Sequence, residues 1–193
     1  MRLFLILGLC FSLFACDSSP PTQSIGSNHS SVAEVQASKP TFSFTKEQFI
    51  SNYNAITRET PSFSIKPEHL RQVNGVTIAE VRPGCTANIG VAADGKVTDI
   101  TTFHSMASGQ NSMCMVWNSL ISGAANKPLS TQQRGAVIMA LMEETIQAPD
   151  TAKMLDAGDV HYEAVFKPGL KNIVIQMTPK KLTDQILMSL NAS

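Results

Sequence analysis

The chain has 193 residues, of which 43% are hydrophobic, and its 15 Lys and Arg residues balance its 15 Asp and Glu residues. A length of this order is enough for one domain with a substantial core. A formal net charge of zero provides no electrostatic attraction for a polyanion, so we expect no nucleic-acid partner.

The N-terminal segment has the features of an export signal. A basic residue precedes an apolar run of about 13 residues, which suits a signal sequence and is too short to cross a bilayer as a helix. The run closes with Leu13, Phe14, Ala15 and Cys16, and these four residues resemble the lipobox of bacterial prolipoproteins. The resemblance implies that residues 1–15 are a lipoprotein signal peptide that is removed, and that Cys16 is lipidated.

An ordinary secretory cleavage site is the alternative, but it needs small residues at the third and first positions before the cut, and Leu13 is large. The resemblance therefore implies a protein anchored by lipid to a membrane of the cell envelope and facing the periplasm. Asp17 follows the lipidated cysteine, at the position that favours the inner membrane in enteric bacteria. The choice between inner and outer membrane stays open, with Asp17 favouring the inner one.

Residues 16–40 predict a lipid-anchored flexible linker. They are mainly Ser, Pro, Thr, Gln and Asn, a composition that buries too little apolar surface to offset the entropy lost on folding. A flexible chain of about 24 residues has a root-mean-square span of roughly 25 to 30 Å. We therefore expect the linker to hold a single globular domain, residues 41–193, clear of the lipid headgroups.

The domain is predicted to begin with a helix and a set of short strands. Thr45 and Gln48 have the spacing of a capping box, which starts a helix over residues 45–57. Apolar and β-branched residues between turn signals then predict strands at 62–66, 69–73, 76–81, 85–92 and 96–103.

A hairpin loop sets the register of the last two of these strands. If the Asp-Gly pair at 94–95 forms a two-residue loop, Ile89 pairs with Ile100 and Val91 with Thr98. This register gives the pair of strands one apolar face, which we expect to point into the core.

Two helices are predicted next. The first covers residues 108–124 and has a broad apolar stripe with a period of 3.6 residues. The second begins at Ser130, which forms another capping box with Gln133. The second helix is apolar on all sides over residues 136–142, so its outer side is either covered or a contact surface.

A second hairpin is predicted near the C-terminus, where apolar residues alternate on both sides of a Pro-Gly pair. A two-residue loop there would pair Tyr162 with Ile175 and Val160 with Met177. A short amphipathic helix over residues 180–190 would end the chain. Runs of strands and of helices predict an α+β fold, an antiparallel sheet of meander and hairpin strands covered by helices on one face.

Cys85 and Cys114 are the two cysteines that remain free after removal of the signal and lipidation of Cys16. Cys85 lies on the inward face of its predicted strand, and Cys114 lies on the apolar stripe of the following helix. Such a pair in an exported protein favours a structural disulfide. The alternative is a zinc site with His104, opposite Cys85 in the predicted register, but this set has no fourth protein ligand.

Motifs for catalysis are scarce. Ser43 and Lys46 match the S-x-x-K spacing of penicillin-binding enzymes and β-lactamases, but neither S-D-N nor K-T-G follows them. A helix-capping segment explains these two residues better. The sequence also contains no nucleotide-binding, zinc-protease or nucleophile-elbow motif. We therefore expect no catalytic residue, no metal and no cofactor.

Other ionisable residues carry weaker signals. His69 and His161 stand alone on strand segments, which is typical of solvent-facing residues. Glu143, Glu144 and Glu163 could supply paired carboxylates, but no spacing rule connects them, and glutamates on an outer helical turn are usually solvated.

Most of the nine methionines suit core positions, but Met115 and either Met139 or Met142 fall off the predicted buried stripes and indicate a partner groove. Together with the anchor and linker, this predicts a non-enzymatic protein-binding domain that acts on another envelope protein as an assembly factor, regulator or inhibitor. One alternative is a domain that binds a small molecule or glycan through exposed aromatic side chains. A less favoured one is a hydrolase using Ser43 or His104.

Replacement of Cys16 by Ala should leave the protein unlipidated and largely absent from the membrane fraction, because this one residue carries the anchor. Membrane fractionation with a high-salt wash measures the effect, and Ser18→Ala is the control that should remain bound. A Cys16→Ala protein that stays in the washed membranes would contradict the lipobox interpretation.

Overall fold

A computed structural model of the chain describes residues 39–107 and 111–180, without the side chains of residues 111 and 112. The predicted signal, Cys16, the linker up to residue 38 and the C-terminal helix beyond residue 180 lie outside the described residues. All of the described residues fall within one structural unit. None of its helices is long and apolar enough to cross a membrane.

Within these residues the chain forms three α-helices, three short 3-10 helices and one seven-stranded antiparallel sheet. The α-helices are α1 (Lys46–Ile56), α2 (Asn111–Ala125) and α3 (Thr131–Gln147), and the 3-10 helices are Pro61–Phe63, Pro67–His69 and Pro168–Leu170. The strands are β1 (Leu70–Val73), β2 (Val76–Arg82), β3 (Cys85–Val91), β4 (Val97–Ser105), β5 (Lys153–Ala157), β6 (Val160–Lys167) and β7 (Asn172–Pro179). Their order across the sheet is β1-β2-β3-β4-β7-β6-β5, so the α2–α3 hairpin connects two antiparallel units that meet at β4 and β7.

The sheet buries one face. Along β3, Cys85, Ala87 and Ile89 are buried and the residues between them are only half-buried, and β4, β6 and β7 alternate in a similar way. Helix α2 packs on β4, α3 packs on β5 and β6, and α1 packs on α2, adding Phe49 and Tyr53 to the same core. The predicted α+β fold, an antiparallel sheet with its helices on one face, is confirmed.

Both predicted capping boxes are present. The Gln48 N–H donates to Thr45 Oγ1 at 3.3 Å, and the Thr45 N–H donates to Gln48 Oε1 at 2.9 Å. Ser130 and Gln133 exchange the same two bonds at 3.3 and 2.8 Å. These bonds satisfy amide donors that have no partner within the first helical turn, so α1 and α3 begin where the sequence predicts.

The register of the β3–β4 hairpin is partly as predicted. Ile89 pairs with Ile100, which confirms the central register. The predicted pairing of Val91 with Thr98 is wrong, because Val91 pairs with Val97. The register shifts next to Val91, so the apolar residues farther along the strands keep their predicted partners.

A longer loop explains the shift. The Ala92 N–H donates to Lys96 O at 2.8 Å, which leaves three residues in the loop rather than two. The last of the three, Gly95, has a φ of 81°, a left-handed conformation that glycine adopts without strain. Thr98 is then the extra residue of a β-bulge, which compensates for the extra loop residue.

The predicted register of the second hairpin is wrong by two residues. Tyr162 pairs with Met177 instead of Ile175, and Met177 is therefore not the partner of Val160. The connection is a 3-10 turn that ends at Lys171, whose φ of 51° is left-handed, and not a two-residue loop. Because side chains alternate with a period of two, a shift of two leaves every side chain on its predicted face.

The strand predicted at 62–66 is also wrong, since this segment forms a 3-10 turn and an extended stretch outside the sheet. The Tyr53 hydroxyl donates to Phe63 O at 2.8 Å, and the side-chain amide of Asn54 exchanges two bonds with the backbone of Ile65, at 2.9 and 2.8 Å. Side chains of α1 thus bond to the backbone N–H and C=O groups of this segment. In a β-strand, these groups would bond to a neighbouring strand.

Strand β5, an edge strand paired with β6, was not predicted from the sequence. Met154 and Leu155 are adjacent in β5 and are 64% and 37% exposed, so the strand lacks the alternation of apolar and polar residues that reveals a half-buried strand. It is joined to β6 by a two-residue turn, Gly158 and Asp159, and Gly158 has a left-handed φ of 56°. This Gly-Asp pair is a local hairpin signal, but it was not used in the prediction.

The predicted disulfide between Cys85 and Cys114 is present, with the two Cα atoms 5.5 Å apart. It connects the first residue of β3 to the first turns of α2, across 29 residues of sequence. Both cysteines are buried, with 1% and 0% of their surface exposed.

Removing this disulfide by the double substitution Cys85→Ser and Cys114→Ser should lower the free energy of unfolding by about 2 to 4 kcal/mol, because the unfolded chain gains the entropy of an open loop. Urea denaturation followed by circular dichroism measures the loss, and thiol labelling of the denatured wild-type protein should detect neither cysteine. Two labelled thiols, or equal stabilities of variant and wild type, would contradict the prediction.

Candidate functional site

An apolar pocket of about 340 Å³ opens beside the disulfide-bonded end of α2. We refer to it as the methionine pocket, and its lining residues are His104, Met106, Met115, Met139, Met142, Glu143, Ile146 and Gln147. Three parts of the chain build it: the end of β4 with the residue that follows it, the first half of α2 and the second half of α3.

Helical periodicity explains the contribution of α3. Met139, Met142, Glu143 and Ile146 are spaced by three or four residues, so they share one side of the helix. Met142 is 4% exposed and forms part of the floor, whereas Met139 and Ile146 are 52% and 44% exposed at the mouth. The pocket therefore leads from an exposed apolar rim to a buried floor.

The hydrogen bonds of β4 with its neighbours position the opposite wall. Within β4, His104 is 1% exposed and lies opposite Cys85 in the ladder, as predicted. The N–H of Met106 donates to Lys171 O at 2.7 Å, which holds the residue after β4 beside the start of β7. Met115, in the second turn of α2, is held close to the disulfide of the preceding residue, Cys114.

The disulfide also bears on the zinc alternative. Cys85, His104 and Cys114 do lie together, but both sulfur atoms are bonded to each other and are not thiolates that a zinc ion requires. Across residues 39–107 and 111–180, no cluster of three or more His, Cys, Asp or Glu residues has the arrangement of a metal site.

The two residues of the hydrolase alternative are far apart. Ser43 is exposed, and it lies between Phe42 and Phe44, whose backbones bond to Val97 at the start of β4. His104 is near the other end of β4, and at ~3.3 Å per residue the strand separates the two residues by roughly 20 Å. Lys46 Nζ lies 3.4 Å from Glu47 Oε1, so the amine forms an ion pair with a carboxylate.

The lone histidines have local structural contacts. His69 Nδ1 lies 3.2 Å from the amide nitrogen of Lys66 and 3.1 Å from Ser64 O, so it closes the turn that precedes β1. His161 on β6 contacts the carboxylate of Asp156 on β5, its partner in the ladder. His69 therefore stabilises a turn, and His161 stabilises the pairing of two adjacent strands.

The three glutamates do not converge. Glu143 and Glu144 are exposed on α3, which covers the inner face of the sheet. Glu163 lies between the buried residues Tyr162 and Ala164 of β6, so its side chain points to the opposite face of the sheet. The sheet thus separates these carboxylates.

A second concavity, about 980 Å³, lies at the opposite end of the sheet. Its lining includes Phe42 and Phe44, whose rings are stacked with centroids 4.8 Å apart, and the polar residues Gln48, Asn52 and Lys96. Thr41 and Lys180, close to the two ends of the described chain, also line it.

A buried polar network at the C-terminal end of α2 was also not predicted from the sequence. Tyr162 OH lies 2.6 Å from Ser122 Oγ and accepts a hydrogen bond from Asn126 Nδ2 at 3.0 Å. Asn126 Nδ2 also donates to Ala157 O at 2.6 Å, and the Asp159 N–H donates to Asn126 Oδ1 at 3.3 Å. The signal in the sequence was a series of polar residues four positions apart, Asn118, Ser122 and Asn126, all of which are buried.

Burial raises the pKa of Tyr162, although its hydrogen bonds with Ser122 and Asn126 oppose the rise. Burial likewise raises the pKa of Tyr53. Both phenols are therefore neutral over the physiological range of pH and act as hydrogen-bonding groups of the core.

No protein-family model matches this sequence, and comparisons with curated proteins and with solved structures find no significant match.

Proposed function

We propose that this chain is a lipid-anchored, periplasm-facing protein of the cell envelope, and that its domain binds another envelope protein through the methionine pocket without catalysing a reaction. The observation that carries the proposal is an apolar pocket with an exposed apolar rim on the helical face of the domain. The protein acts as an assembly factor, regulator or inhibitor, and Asp17 favours the inner membrane as its location.

The rim supports a protein partner. Met139 and Ile146 are 52% and 44% exposed at the mouth of the pocket, and adjacent exposed apolar side chains are typical of an interaction site. Protein interfaces commonly consist of an anchor side chain in a pocket surrounded by weaker contacts. A pocket of about 340 Å³ is near the lower end of the range for small-molecule sites and suits such an anchor.

The methionines support a pocket that adapts to its partner. A methionine side chain is unbranched and polarisable, and it changes shape at little cost, so surfaces rich in methionine accommodate varied apolar groups. Met106 and Met115 are half-buried walls of the pocket, and Met142 is its floor.

A small molecule or glycan is less well supported. The aromatic side chains that would stack on a sugar are mostly in the core, since Tyr53, Trp117 and Tyr162 are at most 1% exposed. The larger groove at the other end of the sheet does present the stacked Phe42 and Phe44 rings, but Phe42 is itself only 6% exposed.

A photo-crosslinking residue at position 139 of the full-length lipoprotein tests the pocket in native membranes. Illumination should give a discrete adduct with one envelope protein. Adding Ile146→Asp should reduce the yield at least about tenfold, because the interface would then have to bury a carboxylate.

The matched control is Val73→Asp, since Val73 is also 44% exposed but lies on the edge strand β1. It should leave the adduct unchanged. The proposal fails if position 139 forms no adduct, or if the two aspartate variants reduce the yield equally.

The linker provides a separate test of the anchored mode of action. Replacing residues 18–38 by a Gly/Ser segment of equal length should preserve function, because the linker only supplies reach. Shortening it to about five residues, or releasing the domain from Thr41 onward, should abolish function, because anchoring raises the effective concentration near an anchored partner. Complementation of a deletion strain measures this, and full activity of the shortened and released forms would refute the proposal.

A further inference from the structure

The composition of the methionine pocket is not explained by apolarity alone. Four of its eight lining residues are methionines, whereas the whole chain of 193 residues contains nine. The adaptability of methionine suits varied apolar groups, but a single apolar anchor from one partner would find similar contact area on leucine or isoleucine. The concentration of sulfur atoms around one opening therefore indicates a role that thioethers can fill and hydrocarbon side chains cannot.

A thioether is a soft and uncharged ligand. Soft sulfur ligands select Cu(I) over the harder divalent ions, and Ag(I) shares this preference. No proton competes for a thioether near neutral pH, unlike a thiolate or an imidazole. The cysteines nearest the pocket, Cys85 and Cys114, are joined in a disulfide, so the methionines are the soft ligands that the described part of the pocket offers.

The methionines approach the pocket from three parts of the chain. Met106 follows β4, Met115 lies on α2, and Met139 and Met142 lie on α3. Ligands that surround an ion must come from different directions, and this arrangement supplies them. Two torsions of each side chain position its sulfur atom, so the sulfur atoms can be reoriented toward the pocket by rotamer changes without movement of the backbone.

Access and charge also favour a cation. Met139 is 52% exposed and Met106 and Met115 are half-buried, so three of the methionines are within reach of an ion from solvent. Glu143 lines the same pocket and is exposed, and its carboxylate attracts a cation to the mouth.

We propose that the methionine pocket binds a soft monovalent metal ion, Cu(I) or Ag(I), through the thioether sulfurs of Met106, Met115 and Met139. This goes beyond the proposed function, since a protein side chain needs only the shape and apolarity of the pocket, whereas the ion needs the sulfur atoms. A substitution that keeps the shape of the pocket and removes the sulfur atoms should therefore abolish binding of the ion and preserve binding of the protein side chain.

Met→Leu is such a substitution, because the two side chains have similar volumes and exchange with little loss of stability. The test uses Ag(I), which needs no reductant, and the purified full-length protein with its disulfide intact, in chloride-free buffer. Calorimetric titration should show one saturable site in the wild type. The triple variant Met106→Leu, Met115→Leu and Met139→Leu should bind Ag(I) at least about 100-fold more weakly.

Met154→Leu is the control, because Met154 is 64% exposed on β5 and does not line the pocket. It should bind Ag(I) like the wild type. Spectra of protein labelled with ¹³C in the methionine methyl groups give a second readout, in which Ag(I) should shift the signals of Met106, Met115 and Met139 and leave that of Met154 in place.

The same variants separate this proposal from the proposed function. The triple leucine variant should still form the crosslinked adduct at a neighbouring pocket position, Ile146, because the pocket remains apolar. A wild-type protein that forms no adduct but has a saturable Ag(I) site would refute protein docking and not metal binding. Absence of a saturable Ag(I) site in the wild type, or equal binding by the triple variant, would overturn the metal proposal.

Discussion

The disulfide between β3 and α2 is the constraint on which the rest of the domain depends. It holds the N-terminal turns of α2 against the first residue of β3, with the two Cα atoms 5.5 Å apart. The other end of the same helix is held by hydrogen bonds of Asn126 and Ser122 to Tyr162. Between these two attachments, Trp117 and Ile121 are buried in the core.

The two attachments differ in their physics. In the chain-entropy model, the disulfide acts on the unfolded chain, because closing the loop between the cysteines lowers the conformational entropy of that state. The network around Tyr162 acts in the folded state, where burial raises the pKa of the phenol and makes each of its hydrogen bonds costly to lose. A helix fixed in both ways is a rigid wall for a binding site.

The methionine pocket forms where the helical layer meets the end of the sheet. Helix α3 turns Ile138 and Leu141 into the core and presents Met139 and Ile146 at the mouth of the pocket. The rigid wall of α2 and the flexible methionines of α3 suit a site that must accept an apolar anchor or surround a soft ion.

Helix starts and strand faces could be predicted from the sequence, because their signals are local. Capping boxes at Thr45 and Ser130 located two helix starts because a capping box involves residues only three positions apart. Alternation assigned the inward faces, since a period of two survives the two-residue shift of register between β6 and β7. The register predicted for β3 and β4 placed Cys85 opposite His104, because the bulge compensates for the extra loop residue. The convergence of Met106, Met115 and Met139 on one pocket could not be predicted from the sequence. It depends on contacts between residues distant in sequence, whose free energies no local pattern contains.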